Sequence, residues 1–268
     1  MNKHQPIGIF DSGIGGLTVA YAVKTQLPQE ELIYFGDTAH LPYGDKSSAA
    51  IQSYTVKICD LLLKQNCKVI LIACNSASSA AYHLAKEYVG SKAKVINVID
   101  PVITYISQNL DNKTIGLIGT KKTVGSNVYQ KKIDKLGKNI HLKSLATPLL
   151  VPMIEEGFFN HTISKNIING YLSHKTIQGI DALILGCTHF PLIKKEIEEF
   201  YNDKVTVIDT SHIVAAHLKE YLKTNDLLND SRKSNNKFFV SDFTHSFAES
   251  TKIFFQEEVN LEYYPLWE

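Results

Sequence analysis

Apolar residues along this chain fall into two alternating patterns. Short continuous runs rich in β-branched and aromatic residues read as strands buried on both faces: IGIF (7–10), ELIYFGD (31–37), VILIAC (69–74) and KVINVID (94–100). Between them, LTVAYAVKTQL (17–27), AAIQSYTVKICDLLLKQN (49–66) and ASSAAYHLAKEYV (77–89) repeat apolar residues at helical spacing. Pro28 stops the first helix, and Ser47 or Ser48 caps the second.

After Asp100-Pro101 the pattern begins again. It runs helix 101–110, strand TIGLIGT (114–120), helix 127–137 and strand NIHLKSLAT (139–147). The segment TPLLVPMIEEG (147–157) reads as a loop, with Glu155 and Glu156 entering a helix around 164–175. Strand ALILGC (182–187), a helix from Pro191 through Tyr201 and strand KVTVID (204–209) complete the series.

The two halves correspond in order and nearly in spacing. IGIFDS (7–12) matches IGLIGT (115–120), LIYFGDTA (32–39) matches IHLKSLAT (140–147), LIACNS (71–76) matches ILGCTH (184–189) and VINVIDP (95–101) matches VTVIDTS (205–211). Strands alternating with helices mean parallel sheets covered on both faces. The expected fold is α/β with two similar lobes, each a mostly parallel sheet flanked by helices, and the active site in the cleft between them. Residues 1–98 with 211–268 form one lobe and 99–210 the other. The tail carries a polar connection (224–237), a strand FFVSD (238–242), a helix HSFAESTKIFFQE (245–257) and a last strand VNLEYYPLW (259–267).

Composition narrows the class. In 268 residues, 28 basic and 27 acidic side chains nearly cancel, with no basic block for nucleic acid and no acidic tail. The polar opening MNKHQP passes straight into a strand without the pattern of a signal peptide, and no apolar run reaches the length of a membrane span. The expected location is the cytoplasm, where thiols stay reduced. Cys59, Cys67, Cys74 and Cys187 form no CxxC pair and no Cys/His array with zinc spacing, so no metal and no disulfide framework is expected.

Cys59 and Cys67 lie on or just after a helix, where cysteine acts as a small hydrophobe. Cys74 and Cys187 differ, because each ends the third strand of its half and each precedes residues able to open a helix. In open α/β sheets, ligands sit beyond the carboxyl ends of the strands. A thiol at a helix N-terminus meets free N–H groups that favour thiolate. Two lobes facing each other would set the two thiols on opposite sides of one cleft. One would take a proton from carbon while the other returns one to the opposite face, which inverts a stereocentre. Asp11 and Asp37 also fall at strand ends, as helix cap and turn residue or as functional carboxylates. Gly13, Gly15 and Gly16 of DSGIGG do not make a dinucleotide fingerprint. Tyr43 and Gly44 sit in a loop stiffened by Pro42, suited to backbone donation to a carboxylate. His189, two residues after Cys187, is placed to tune that thiol.

IGIFDSGIGGLTV, YFGDTAHLPYG, ACNSAS, VPMIEEG and GCTHFPL together resemble the glutamate racemases of the aspartate/glutamate racemase superfamily over almost the whole chain. Ser76 stands where Thr is usual, His40 where Arg is frequent and Phe190 where Tyr is common. The resemblance implies cofactor-independent interconversion of L- and D-glutamate, supplying D-glutamate for bacterial peptidoglycan. It makes Cys74 and Cys187 the acid/bases. Asp11, Ser12, Tyr43, Gly44, Asn75, Ser76, Thr188 and His189 would hold the substrate, and Asp37, Glu155 and His189 would assist the thiols. A homodimer is expected. The rivals are a racemase for aspartate or another amino acid, a thiol hydrolase using Cys187 with His189, and a non-catalytic clamp for small anions.

Overall fold

The chain was analysed as a computed structural model that describes residues 1–159, 161–230, 235–243 and 251–268. Strands β1 (Ile7–Asp11), β2 (Leu32–Gly36), β3 (Val69–Ile72) and β4 (Lys94–Asn97) alternate with helices α1 (Leu17–Gln26), α2 (Ser48–Lys64) and α3 (Asn75–Val89). After α4 (Ile99–Asn109) come β5 (Thr114–Gly119), α5 (Lys121–Gly125), α6 (Val128–Asp134), β6 (His141–Ala146), α7 (Leu150–Glu155) and α8 (Thr162–Leu172). Then follow β7 (Ala182–Gly186), α9 (Lys194–Tyr201), β8 (Thr206–Ile208), α10 (Thr210–Thr224), β9 (Lys237–Val240) and β10 (Leu261–Tyr263).

Two wholly parallel sheets result, one of six strands in the order β10-β9-β2-β1-β3-β4 and one of four in the order β6-β5-β7-β8. The repeat read in the sequence is visible as topology: β2-β1-β3-β4 in one sheet answers β6-β5-β7-β8 in the other. The registers also answer, since Ile7 pairs with Leu32 and Val69 as Ile115 pairs with Leu142 and Ala182. β1, β2, β3 and β7 are buried throughout, which is why they carry unbroken apolar runs rather than alternation. The tail joins the first sheet, with β9 beside β2 and β10 at the edge. The strand expected over 259–267 shortens to the three residues of β10. Of the helix expected over 245–257, residues 251–255 are helical and 244–250 lie outside the described residues. Among the described residues no helix is long and apolar enough to cross a membrane.

Ser47 caps α2, its side chain accepting from Ala50 N at 3.1 Å. Four readings change. Residues 98–100 turn into the start of α4 instead of extending β4, because Asn97 Oδ1 accepts from the N–H groups of Ile99 and Asp100, 2.8 Å each. Residues 121–137 form two helices broken at Asn127, which is left-handed at φ 54°. The expected loop before Glu155 is the helix α7, because Pro152 falls in its first turn, where the missing N–H leaves no bond unmade. Glu155 therefore ends a helix rather than entering one. Beyond Cys187 the chain first makes a 3-10 turn, Phe190–Ile193, and the α-helix starts only at Lys194.

At the opposite, amino end of the first sheet, Lys68 is buried with its Nζ 2.6 Å from Glu30. The ammonium also donates to the carbonyls of Lys3 and Leu227, at 2.5 and 2.9 Å. Burial lowers the pKa of Lys68 and the Glu30 contact opposes that. Lys68→Met strands a buried carboxylate and is expected to cost about 3–5 kcal/mol in chemical denaturation. Adding Glu30→Leu should recover most of the loss, whereas a single variant as stable as wild type would deny the pair its role.

Candidate active site

The carboxyl ends of β1 and β3 from one sheet and β5 and β7 from the other converge on one small cavity. It is lined by Ser12, Tyr43, Gly44, Cys74, Asn75, Ser76, Glu155, Cys187, Thr188 and His189, with Leu41, Pro42, Thr120 and Val151 completing the wall. Ten of the twelve residues expected at the site therefore share one space. Asp11 and Asp37 are wholly buried outside its lining.

Cys74 is the N-cap of α3, its Sγ accepting from Ala77 N at 3.4 Å and lying 3.7 Å from Ser12 Oγ. Burial and, after it, the charge of Asp11 raise its pKa, while the Ala77 N–H and Ser12 hydroxyl oppose them. Cys74 is thereby held as a thiol, a proton donor. Its helix also aims free N–H groups at the cavity, where a carboxylate would sit.

Cys187 has a different setting. The helix start expected behind it is only the 3-10 turn, and in its place stands an imidazole. His189 Nδ1 lies 3.6 Å from Cys187 Sγ and Nε2 lies 3.0 Å from Glu155 Oε1. Burial alone would lower the pKa of His189. The hydrogen bonds and charges of Cys187 and Glu155 overturn this and raise it to about 10. A proton released by Cys187 therefore has a favoured resting place. The turn is fixed from the other lobe, as Thr18 Oγ1 on α1 donates to Thr188 O at 2.8 Å. Phe254 meets the His189 ring edge-on at 5.3 Å.

Asp11 caps the DSGIGG turn, Oδ2 accepting from Gly16 N at 2.9 Å and Gly13 N at 3.3 Å. Its Oδ1 is buried without a partner, and so is Asn75 Nδ2. Burial raises the pKa of Asp11 against the opposing charge of His189. Unsatisfied buried polar atoms are costly and uncommon, and a carboxylate in this state favours a nearby cation such as a substrate ammonium.

Gly15 and Gly16 of DSGIGG are packing devices. A Cβ on Gly15 would fall 2.3 Å from His189 Cε1 and 2.5 Å from Nδ1, and one on Gly16 would fall 2.4 Å from Asp11 Cβ. Gly15→Ala should push the imidazole off Cys187 and Glu155, cutting turnover about 10²-fold with the fold retained. Normal turnover in that variant would show that the imidazole position does not matter.

Asp37 is a hub. Its carboxylate accepts from Tyr43 Oη at 2.6 Å, Ser241 Oγ at 2.8 Å and Trp267 Nε1 at 2.7 Å, with His40 Nδ1 at 3.0 Å. It contacts Tyr43, which lines the cavity, and not the thiols. Thr120 is the lining residue that sequence reasoning missed. Its Oγ1 lies 2.9 Å from Ser76 Oγ across the lobes, and it occupies the place after β5 that Ser12 occupies after β1. The repeat held that signal. A further cross-lobe bond runs from Tyr129 Oη to Asn75 Oδ1 at 2.9 Å. Among the described residues no group of three His, Cys, Asp or Glu side chains is arranged to hold a metal ion.

Two thiols brought from two similar sheets to one small cavity, one backed by a helix start and one by an imidazole–carboxylate pair, define an acid–base isomerase site. The chain matches the profile of the Asp/Glu/hydantoin racemases over residues 18–218. It is 40% identical over 265 residues to a glutamate racemase of Chlorobaculum parvum, covering 97% of each chain. The crystal structure of a Francisella tularensis glutamate racemase in complex with D-glutamate superposes with a TM-score of 0.92 at 39% identity, covering 99% of each chain. A glutamate racemase isoform of Bacillus anthracis gives 0.93 at 31% identity, again over 99% of each. The chain belongs to the glutamate racemases of the Asp/Glu/hydantoin racemase family and is an amino-acid isomerase.

Proposed function

We propose that the protein interconverts L- and D-glutamate by a two-base mechanism in which Cys74 and Cys187 act on opposite faces of Cα. The observation that carries this is the shared cavity: each thiol comes from a different lobe, and each has its own apparatus for handling a proton. The thiolate on one side takes the α-proton and the thiol on the other delivers its proton. Net charge in the cleft is conserved, and the two cysteines exchange protonation states. Asp11 favours the substrate ammonium. The N–H groups opening α3 and the hydroxyls of Ser12, Ser76 and Thr120 favour carboxylate charge that grows as the proton leaves. His189 and Glu155 store the proton of Cys187.

Incubation of the purified protein with L- or D-glutamate, followed by circular dichroism, tests the reading, with aspartate enantiomers in parallel. Loss of optical activity from either glutamate enantiomer is the expected result. Racemisation of aspartate alone would reassign the substrate. The same reading takes the enzyme as a cytoplasmic homodimer supplying D-glutamate for peptidoglycan, with sedimentation of the purified protein as the check on its assembly.

One rival gains an observation: Cys187, His189 and Glu155 are in line, as a thiol hydrolase requires. That reading leaves Cys74 and its cap without a task. A covalent acyl-enzyme seen by mass spectrometry with amide or ester substrates would support it.

A further inference from the structure

Asp37 carries more than one turn residue needs. It is wholly buried at the end of β2, and four side chains from three different segments converge on its two oxygens. Tyr43 and His40 come from the loop after β2; Tyr43 donates to Oδ2, and His40 Nδ1 lies between the two oxygens, 3.0 Å from Oδ2 and 3.1 Å from Oδ1. Ser241 follows β9 and Trp267 is the penultimate residue; both bond Oδ1. The chain terminus is brought there by the edge of the first sheet, where Tyr264 N donates to Val240 O at 2.9 Å beside β10.

Aromatic rings wall the hub. His40 stacks on Tyr54 at 4.0 Å, Trp267 meets His40 edge-on at 4.5 Å and Tyr54 at 5.4 Å, and Tyr43 lies 5.7 Å from Tyr54. Lys57 Nζ sits 4.8 Å over the Trp267 ring, which fixes the outer face of the indole. Burial raises the pKa of Tyr43 well above its usual value, and the Asp37 charge adds to this, so the phenol stays neutral and donates. Tyr43 and Gly44 lie on the cavity wall with Cys74. A Cβ on Gly44 would fall 3.0 Å from Thr120 Cβ, so this loop also closes against the other lobe with little slack.

We propose that Trp267 is a positioning residue for substrate binding: its indole N–H, with the Ser241 hydroxyl, fixes Asp37 so that the carboxylate holds Tyr43 and Gly44 at the cleft. The C-terminus is thereby a strut of the active site rather than a sheet edge alone. The proposal rests on the glutamate reading for its substrate, but its physical claim is a coupling between Trp267 and Tyr43 that exists without substrate.

The test uses Trp267→Phe, which keeps an aromatic ring and removes only the donor, and Ser241→Ala, which removes the hydroxyl that donates to the same oxygen. In each, KM for D- and L-glutamate should rise about fivefold while kcat stays within about twofold, because loop position governs binding and not proton transfer. Tyr43→Phe should raise KM likewise, and the Trp267→Phe/Tyr43→Phe double variant should be no worse than the poorer single one. Trp267 is the only tryptophan in the chain. Its emission in the wild-type protein should therefore shift on titration with D-glutamate, with a midpoint near KM. Unchanged KM in both Trp267→Phe and Ser241→Ala, or additive KM effects in the double variant, would overturn the proposal. Should wild type fail to turn over glutamate, the substrate reading falls. The thermal-denaturation cycle of the same three variants then decides the proposal: non-additive losses support the coupling, and additive ones refute it.

Discussion

Cys74→Ala and Cys187→Ala should each reduce racemisation at least about 10³-fold, and the two should fail in opposite ways. With Cys74 removed, Cys187 can still draw the α-proton from the enantiomer whose hydrogen faces it and return a solvent proton to the same face. The result is exchange without inversion. With Cys187 removed, Cys74 does the same for the other enantiomer. Incubation in D2O followed by mass spectrometry should therefore show label entering one enantiomer in each variant, and a different one in each. Cys74→Ala also removes the sulfur that caps Ala77 N, so Cys74→Ser is the better control. It keeps an acceptor at the cap but offers a hydroxyl too weakly acidic to shuttle the proton. Serine activity near that of wild type would mean the sulfur serves the cap and not the chemistry.

His189→Asn should lower turnover about 10³-fold, the largest effect expected outside the two cysteines. The cause is the loss of the resting place for the Cys187 proton, which Glu155 holds in register 3.0 Å from Nε2. Glu155→Gln keeps the imidazole but removes the charge that stabilises its protonated form, so its effect should be smaller and of the same kind. The pair also predicts a pH signature in stability. His189 is raised from about 6.5 to about 10 in the folded chain. Its contribution to stability is therefore complete below about pH 6.5 and is lost as pH climbs through about 10. The gap in denaturation midpoint between wild type and Glu155→Gln should be widest near pH 6 and close towards pH 10. A gap that widens with rising pH would mean that the imidazole is neutral in the folded protein.

What could be read ahead of the structure follows from how far each cause reaches along the chain. The two sheets were legible because a strand buried on both faces must be apolar along its buried length: β3 and β7 are so throughout, and β1 and β5 depart only at one end, at Asp11 and Thr114. Cys74 and Cys187 stood out because equivalent strand ends in a repeat fall on one cleft. Thr120 obeys the same rule, being the partner of Ser12, yet a threonine ending a strand draws no notice without a thiol or a charge. The α7 helix was hidden by Pro148 and Pro152, which read as loop residues although Pro148 precedes the helix and the first turn tolerates Pro152. Gly15 had no reading beyond the absence of a dinucleotide fingerprint, because nothing local shows that His189, from the other lobe, needs its space. Asp37 was the least legible. Its partners Ser241 and Trp267 lie some 200 residues away, and only the pairing of β9 with β2 and of β10 with β9 brings them in.

The claim on which the rest depends is that two different bases serve the two faces of Cα. It is tested most directly by running wild type with unlabelled L-glutamate in D2O, stopping at low conversion and measuring deuterium at Cα in each enantiomer. Two bases predict that the D-glutamate formed carries solvent deuterium in essentially every molecule while the remaining L-glutamate stays unlabelled. The reverse reaction should show the same pattern. Product that retains the substrate's own hydrogen would contradict the account, because one base would then have carried the same proton from face to face.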